Sequence, residues 1–288
     1  MQGYCEIIII MNLRYIITNN FAVRFLMKPY QDFKRKKAYS RYQETEDSAY
    51  IKTLKDKHKD ERCFIIGSGP SLKIEDLEPL KDEYTFGSNR IFKTFDQTSW
   101  RPAYYLAVDP NFIRTNWKEL DKYHFNEMFL GTDLNFDMSV FKSKATRIFE
   151  YTKFKVNKWN DMTAHVSEDV SRYFSVGYTV TFTAIQFAIY MGFSEIYLLG
   201  VDFNYSVVRD RKGKIHRIDG VKDYFHGEKF SETVLSYYSS LNAYEKAKEY
   251  ADSHGIKIFN ATRGGKLEVF DRIDIDSVLD GNQERRMG

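Results

Sequence analysis

The chain has 288 residues, 43% of them hydrophobic and 16% aromatic, which is enough for one sizeable core with an appendage. Lys and Arg number 43 against 40 Asp and Glu, so a net charge of +3 gives no electrostatic argument for nucleic acid as a partner. Two cysteines, Cys5 and Cys63, lack CxxC spacing, which points to neither a zinc site nor a disulfide framework and fits a reducing cytoplasm.

Glu6 to Ile10 opens an apolar stretch that Asn12, Arg14, Asn19 and Asn20 interrupt. It is too short and too polar to span a membrane, and it lacks the basic start and small-residue cleavage site of a signal peptide. Residues 1–52 read as a basic, amphipathic helical extension. Ile16, Ile17, Phe21, Val23, Phe25 and Leu26 precede the basic run QDFKRKKAYSR, which predicts a helix or a helix pair. Such a surface suits peripheral contact with a membrane or a partner through residues 1–50. The plainer alternative is a helix packed on the main domain or a contact between copies of the chain.

Residues 53–280 read as one Rossmann-like domain, with 281–288 as a tail. Arg62 to Ile66 is the first strand, and Cys63 within it suits a small buried hydrophobe. GSGPSL follows, then IEDLEPLKD as a helix with acidic residues near its start. Tyr84 to Gly87 and Ala103 to Val108 are strands two and three, and Glu127–Leu130 and Thr146–Phe149 are further strand candidates. Thr179 to Tyr190 is a buried helix closed by Gly192. Glu195 to Val201 is a near-continuous apolar strand ending at Asp202, the pattern of a parallel sheet covered on both faces. Polar residues 204–230 read as a long loop, a common form of active-site lid. Ser236 to His254 is a helix stopped by Gly255, and Ile256 to Phe259 is the last strand. The alternation predicts an α/β fold with a doubly wound, mostly parallel sheet, a GT-A-like variant. Ligands of such sheets lie beyond the carboxyl ends of the strands, which singles out Ser68, Asn89, Asp109, Asp202 and Asn260.

The loop Gly67-Ser68-Gly69-Pro70-Ser71 joins a strand to a helix. Its glycines permit close backbone approach, the helix amino terminus offers unpaired N–H groups, and the serines add hydroxyls, so phosphate is the expected guest. It is neither the full GxGxxG fingerprint nor a Walker loop. His124, His165 and His254 have no ligand spacing, and no metal site is read from them.

RCFIIGSGPSL, TFGSNRIF, TVTFTAIQFAIYMGFSEIYLLGVDFNYS and IKIFNATRGGKLEVF occur in an order that resembles the MptE-like domain of bacterial surface-polysaccharide gene clusters and of motility accessory factors. The same stretches, covering about residues 55–279, are similar to the metal-independent bacterial CMP-sialic-acid sialyltransferases. The resemblance implies a glycosyltransferase using a CMP-activated sialic or nonulosonic acid and a saccharide or glycolipid acceptor, without a required metal, at the inner face of the membrane. It places donor phosphate and ribose on residues 67–71. Asn89 matches a donor-contacting asparagine, whereas Ser68 and Asp109 stand where the sialyltransferases carry asparagine. Asp202 would orient a base or sugar hydroxyl. His226 resembles the histidine that deprotonates the acceptor, with His216 as competitor. Tyr224, Arg172 and Tyr178 would flank the cleft and steady the leaving phosphate. Asn260 and Thr262 open the last motif, and Gly264-Gly265 would either admit the nucleotide or make a turn. Archaeal relatives carry out ATP-dependent pyrophosphorylation of 6-hydroxymethylpterin, so the alternatives are such a pyrophosphokinase, with Asp109 and Asp202 holding Mg²⁺, and a non-catalytic nucleotide- or glycan-binding subunit.

Overall fold

A computed structural model of the chain describes residues 21–132, 134–150, 164–209, 215–225 and 235–279. Eight strands form one parallel sheet: β1 (Arg62–Ile66), β2 (Tyr84–Ser88), β3 (Tyr104–Ala107), β4 (Met128–Leu130), β5 (Ala145–Arg147), β6 (Glu195–Leu199), β10 (Lys257–Asn260) and β11 (Asp271–Arg272). The sheet order is β11-β10-β6-β1-β2-β3-β4-β5. The chain winds outward from β1 to β5, then returns to lay β6 against the other side of β1, in register from Arg62 opposite Glu195 to Ile66 opposite Leu199. Between β1 and β6 the winding therefore reverses, and a crevice opens beyond the carboxyl ends of these two strands.

Strand alternation explains why both faces are covered. Cys63 and Ile65 of β1 join Ile196 and Leu198 of β6 in one core cluster, while Phe64 and Ile66 join Tyr197 and Leu199 in the other. The first cluster is completed by two helices, α4 (Val180–Tyr190) and α5 (Tyr237–Ser253), which contribute Phe182, Ile185, Phe187, Ala243 and Tyr244. On the other face pack Leu77 and Leu80, together with Ile113 and Leu120 of α3 (Pro110–Lys122). At the amino-terminal side, α1 (Phe21–Gln43) is followed by α2 (Glu46–Lys52), which Thr45 caps by accepting from the Ser48 amide. Ile51 and Leu54 lie in the same cluster as Cys63, so the extension is continuous with the main core at this end.

The sequence expectations hold for the main strands and for the helices at 180–190 and 237–253, and they differ in four places. IEDLEPLKD forms a 3₁₀ turn over Ile74–Leu80 in place of an α-helix. Pro79 lies inside it, and a proline there removes an i→i−4 donor and crowds the preceding turn. Helix α3 was not anticipated, although Asp109 caps it and Pro110 begins it. The long loop carries β7 (Val207–Arg209) and β8 (Ile215–Arg217), paired antiparallel, with β9 (Leu235–Ser236) alongside β7. A short β11 follows the strand expected to be last.

Candidate functional site

A cavity of about 350 Å³ lies in the crevice beyond β1 and β6. Its floor is Gly67–Gly69 and Gly200–Asp202, and its sides bring in Asn89 after β2, Asp109 after β3, Glu150 after β5, and Asp223 and Tyr224 from the long loop. The remaining wall is the segment leading into α4, from Phe174 and Gly177 through Tyr178 and Thr179 to Thr183.

The glycine loop meets the cavity differently from what its composition suggested. The Gly67 amide donates to the Leu199 carbonyl at 2.7 Å, the Gly69 amide donates to Gly200 at 2.9 Å, and the Leu72 amide closes a turn onto Gly69 across Pro70. Ser71 donates from its hydroxyl to Asp202 Oδ2 at 2.7 Å, and its amide faces the same oxygen at 3.4 Å. These amides serve the protein and not a phosphate. The glycine at position 69 is required because a Cβ there would lie 2.0 Å from Asp202 Oδ2 and 2.7 Å from the Gly200 carbonyl. Pro70 and Ser71 are outside the cavity lining, and a 3₁₀ turn, rather than an α-helix, follows them. What the loop offers a ligand is Ser68, whose Oγ is buried without a hydrogen-bond partner among the described residues, and whose carbonyl accepts from the Phe225 amide at 3.0 Å. A buried hydroxyl in that state favours a ligand that bonds it.

The helix amino terminus that faces the cavity belongs to α4. Thr179 caps it by accepting from the Thr181 amide at 3.3 Å, and Thr179, Val180, Thr181 and Thr183 all line the space. The positive end of an 11-residue, almost wholly buried helix thus opens on the cavity, a geometry suited to an anion. Tyr178 precedes the cap at φ 56° and is 39% exposed. Six described non-glycine residues take positive φ, and three of them, Asn89, Tyr178 and Phe203, line this cavity, so backbone strain is concentrated where side chains must be aimed.

Four carboxylates line the cavity, on Asp109, Glu150, Asp202 and Asp223, and among the described residues no Lys, Arg or His does. Three of the four have structural partners. Asp109 Oδ1 accepts from the Asn111 and Phe112 amides at the head of α3. Asp202 holds Ser71. Asp223 accepts from the Ser206 amide at 2.8 Å and its hydroxyl at 2.5 Å, pinning the long loop. Burial raises the pKa of Asp202 against the opposing pull of the Ser71 hydroxyl and amide. Burial also raises the Tyr205 and Tyr244 phenols, which keeps both as neutral hydroxyls in the cavity wall.

Of the residues singled out from sequence, Gly67, Ser68, Gly69, Asn89, Asp109, Asp202, Tyr178 and Tyr224 converge on the cavity. Asn260 and Thr262 do not. Asn260 is 1% exposed, donates to the Leu267 carbonyl and accepts from the Thr262 amide, and Thr262 accepts from the Val201 amide from behind the site. Gly265 makes a turn against the protein itself, since a Cβ there would lie 2.7 Å from the Asp202 carbonyl. Arg172 is exposed over the Tyr39 ring, with 5.7 Å to its centroid, and does not line the cavity. His216 is exposed on β8, away from the lining, and His226 lies outside the described residues. Sequence reading missed Glu150, Tyr205 and Tyr244. It placed Tyr178 at the cleft but missed that its neighbours Gly177 and Thr179 line the pocket too, although a threonine cap ahead of an apolar run was a legible sign of a helix amino terminus.

Among curated proteins, none matches the sequence. Among solved structures, the chain is similar to the MAf glycosyltransferase from Magnetospirillum magneticum AMB-1 at 15% identity and a TM-score of 0.47, covering 86% of this chain and 41% of that one. It thus spans about two fifths of that protein's length. It is also similar to the sialyltransferase CstII from Campylobacter jejuni in complex with cytidine-5'-monophosphate, at 16% identity and a TM-score of 0.38, covering 75% of this chain and 85% of that one. The family model described as 6-hydroxymethylpterin diphosphokinase MptE-like matches residues 36–208, more than half of the chain, and the chain belongs to that family.

Proposed function

We propose that the protein is a glycosyltransferase that takes a CMP-activated sialic or nonulosonic acid as donor and a saccharide or glycolipid hydroxyl as acceptor, in bacterial surface-polysaccharide biosynthesis. One observation carries this reading. Among the described residues the cavity offers one anion-suited feature, the amino end of α4, beside hydroxyls and carboxylates, and no cationic side chain. One phosphate is matched by a helix terminus and the hydroxyls of Ser68, Tyr178 and Thr179. A triphosphate beside four carboxylates needs counter-charge that this lining does not supply. Asp202 and Asn89, both in the lining, accept from ribose or base in this reading.

In the transfer, the bond from the sugar's anomeric carbon to the phosphate breaks and CMP departs. The acceptor oxygen attacks that carbon, and His226, assigned by sequence resemblance, takes its proton. Tyr224 and the amino end of α4 stabilise the charge on the leaving phosphate. No metal is required for a monophosphate leaving group. The pyrophosphokinase alternative asks Asp109 and Asp202 to hold Mg²⁺, yet an oxygen of each is already committed to protein donors.

The test is a thermal-shift panel of CMP, UDP, GDP and ATP with and without Mg²⁺, followed by donor turnover. CMP at a hundred times its Kd should stabilise the fold by about 2.7 kcal/mol with chelator present. His226→Ala should lose about two to four orders of magnitude in rate with CMP affinity unchanged. Stabilisation by ATP and Mg²⁺ alone would transfer the assignment to the pyrophosphokinase. Absence of donor turnover by the pure wild-type chain would leave a binding subunit.

A further inference from the structure

Helix α1 has two faces of different character. Toward the domain, Tyr42 is fully buried, stacks on Phe149 at 5.3 Å and donates its hydroxyl to the Arg147 carbonyl at 3.0 Å. Tyr39, on the same side, meets Phe149 and Tyr173 at 6.4 and 6.1 Å. These contacts fix the rotation of the helix. At 100° per residue they turn Tyr30, Phe33, Lys34, Lys37 and Arg41 away from the domain. All five are exposed, Tyr30 at 52% and Phe33 at 64%.

The chemistry of this outer face is specific. Between Lys28 and Arg41 the sequence holds six Lys or Arg and one acid, Asp32. Two large aromatic rings stand exposed among the cations, and the Lys34 ammonium sits 4.8 Å from the Tyr30 centroid. A solvated charged face has no use for exposed Phe and Tyr and normally interleaves both signs of charge. Aromatic rings with Lys and Arg along one helix stripe match a bilayer interface, where rings enter the headgroup level and cations meet anionic lipid.

We propose that the outer face of α1, built from Tyr30, Phe33, Lys34, Lys37 and Arg41, docks on an anionic lipid bilayer. The opposite side of the helix leads to the cavity: Tyr39 and Tyr42 pack on Phe149, whose neighbour Glu150 lines it. Docking therefore sets the cavity rim at a defined position relative to the membrane. No described helix is long and apolar enough to cross a membrane, which is consistent with a surface contact.

The experiment is co-sedimentation of the full chain with phosphatidylcholine vesicles, with and without phosphatidylglycerol, and its readout is independent of any enzymatic activity. The wild type should pellet with the mixed vesicles, stay in solution with phosphatidylcholine alone, and be partly released by salt. Lys34→Glu with Lys37→Glu should weaken binding by at least about ten-fold. Lys34→Arg with Lys37→Arg should retain binding. Phe33→Ser should remove the binding that survives high salt. All these positions are exposed, so the melting temperature should not change, which controls for folding. Equal pelleting on neutral and anionic vesicles, or unchanged pelleting after charge reversal, would overturn the proposal. So would sedimentation velocity showing that wild-type copies associate and that charge reversal separates them, because the face would then be a contact between subunits.

Discussion

The two ends of the sheet differ in how many polar groups they leave to a ligand. At the amino end several of them bond to one another, although Trp100 Nε1 and Glu127 Oε2 stay buried without a partner among the described residues. His58 binds Glu61 through Nδ1 and the Tyr104 hydroxyl through Nε2, both at 2.6 Å, while its ring stacks on Phe193. Arg62 grips Glu83 with two N–H groups, and Glu127 accepts from Tyr50 and Lys144. At the carboxyl end, Ser68 Oγ is left without a partner among the described residues, carboxylates face open space, and strained backbone aims Asn89 and Tyr178 inward. The same strands supply both ends. A doubly wound sheet can therefore place its stability at one end and leave groups available for a ligand at the other.

The comparison breaks first at Gly69. A valine there would collide with Asp202 and the Gly200 backbone, so Gly69→Val should cost about 3 kcal/mol and abolish stabilisation by nucleotide together. Loss of one without the other, measured by thermal shift, would mean that the loop is not the floor of the binding site.

At the amino end, His58→Ala should cost about 2 kcal/mol, because Glu61 and the Tyr104 hydroxyl lose their partner, and should leave CMP affinity untouched. The same residue predicts a pH dependence. Burial lowers the His58 pKa from its ordinary 6.5, with Glu61 opposing. Its neutral form is therefore fully tolerated above pH 6.5. Stability should fall as pH drops through 6.5 toward the lowered value, because the unfolded chain takes up the proton first. Melting temperature against pH should show this decline in the wild type and a smaller one in His58→Gln.

Ser68→Ala should have the smallest effect and should separate the two ends by sign. Removing an unpartnered buried hydroxyl should leave stability equal or slightly higher, while CMP binding weakens by about five-fold for one lost hydrogen bond. A parallel loss of stability, read by denaturant titration, would place Ser68 with the structural groups.

How much of this was legible varies by element. The alternation of Cys63, Phe64, Ile65 and Ile66 and the apolar run 195–199 announced central strands because both periods are local. The 3₁₀ turn over 74–80 was missed because acidic residues early in the segment favoured a helix while Pro79 inside it prevented one. Asp109, a ligand candidate by its strand-end position, caps α3 as well, a role visible in Asp-Pro once a helix is suspected.

What the sequence by itself determined is the parallel sheet, its strand-end residues and the family, because side-chain period, turn chemistry and motif order are properties of short stretches. What only the tertiary structure decided is which polar groups remain open. Gly67, Gly69 and Ser71 lie beside residues 199–202 once β6 pairs with β1, so their amides are used internally, and α4, more than 100 residues further along, presents its amino end in their place. Hydrogen-bond partners are assigned by contact across the winding reversal, and distance along the chain carries no trace of that contact.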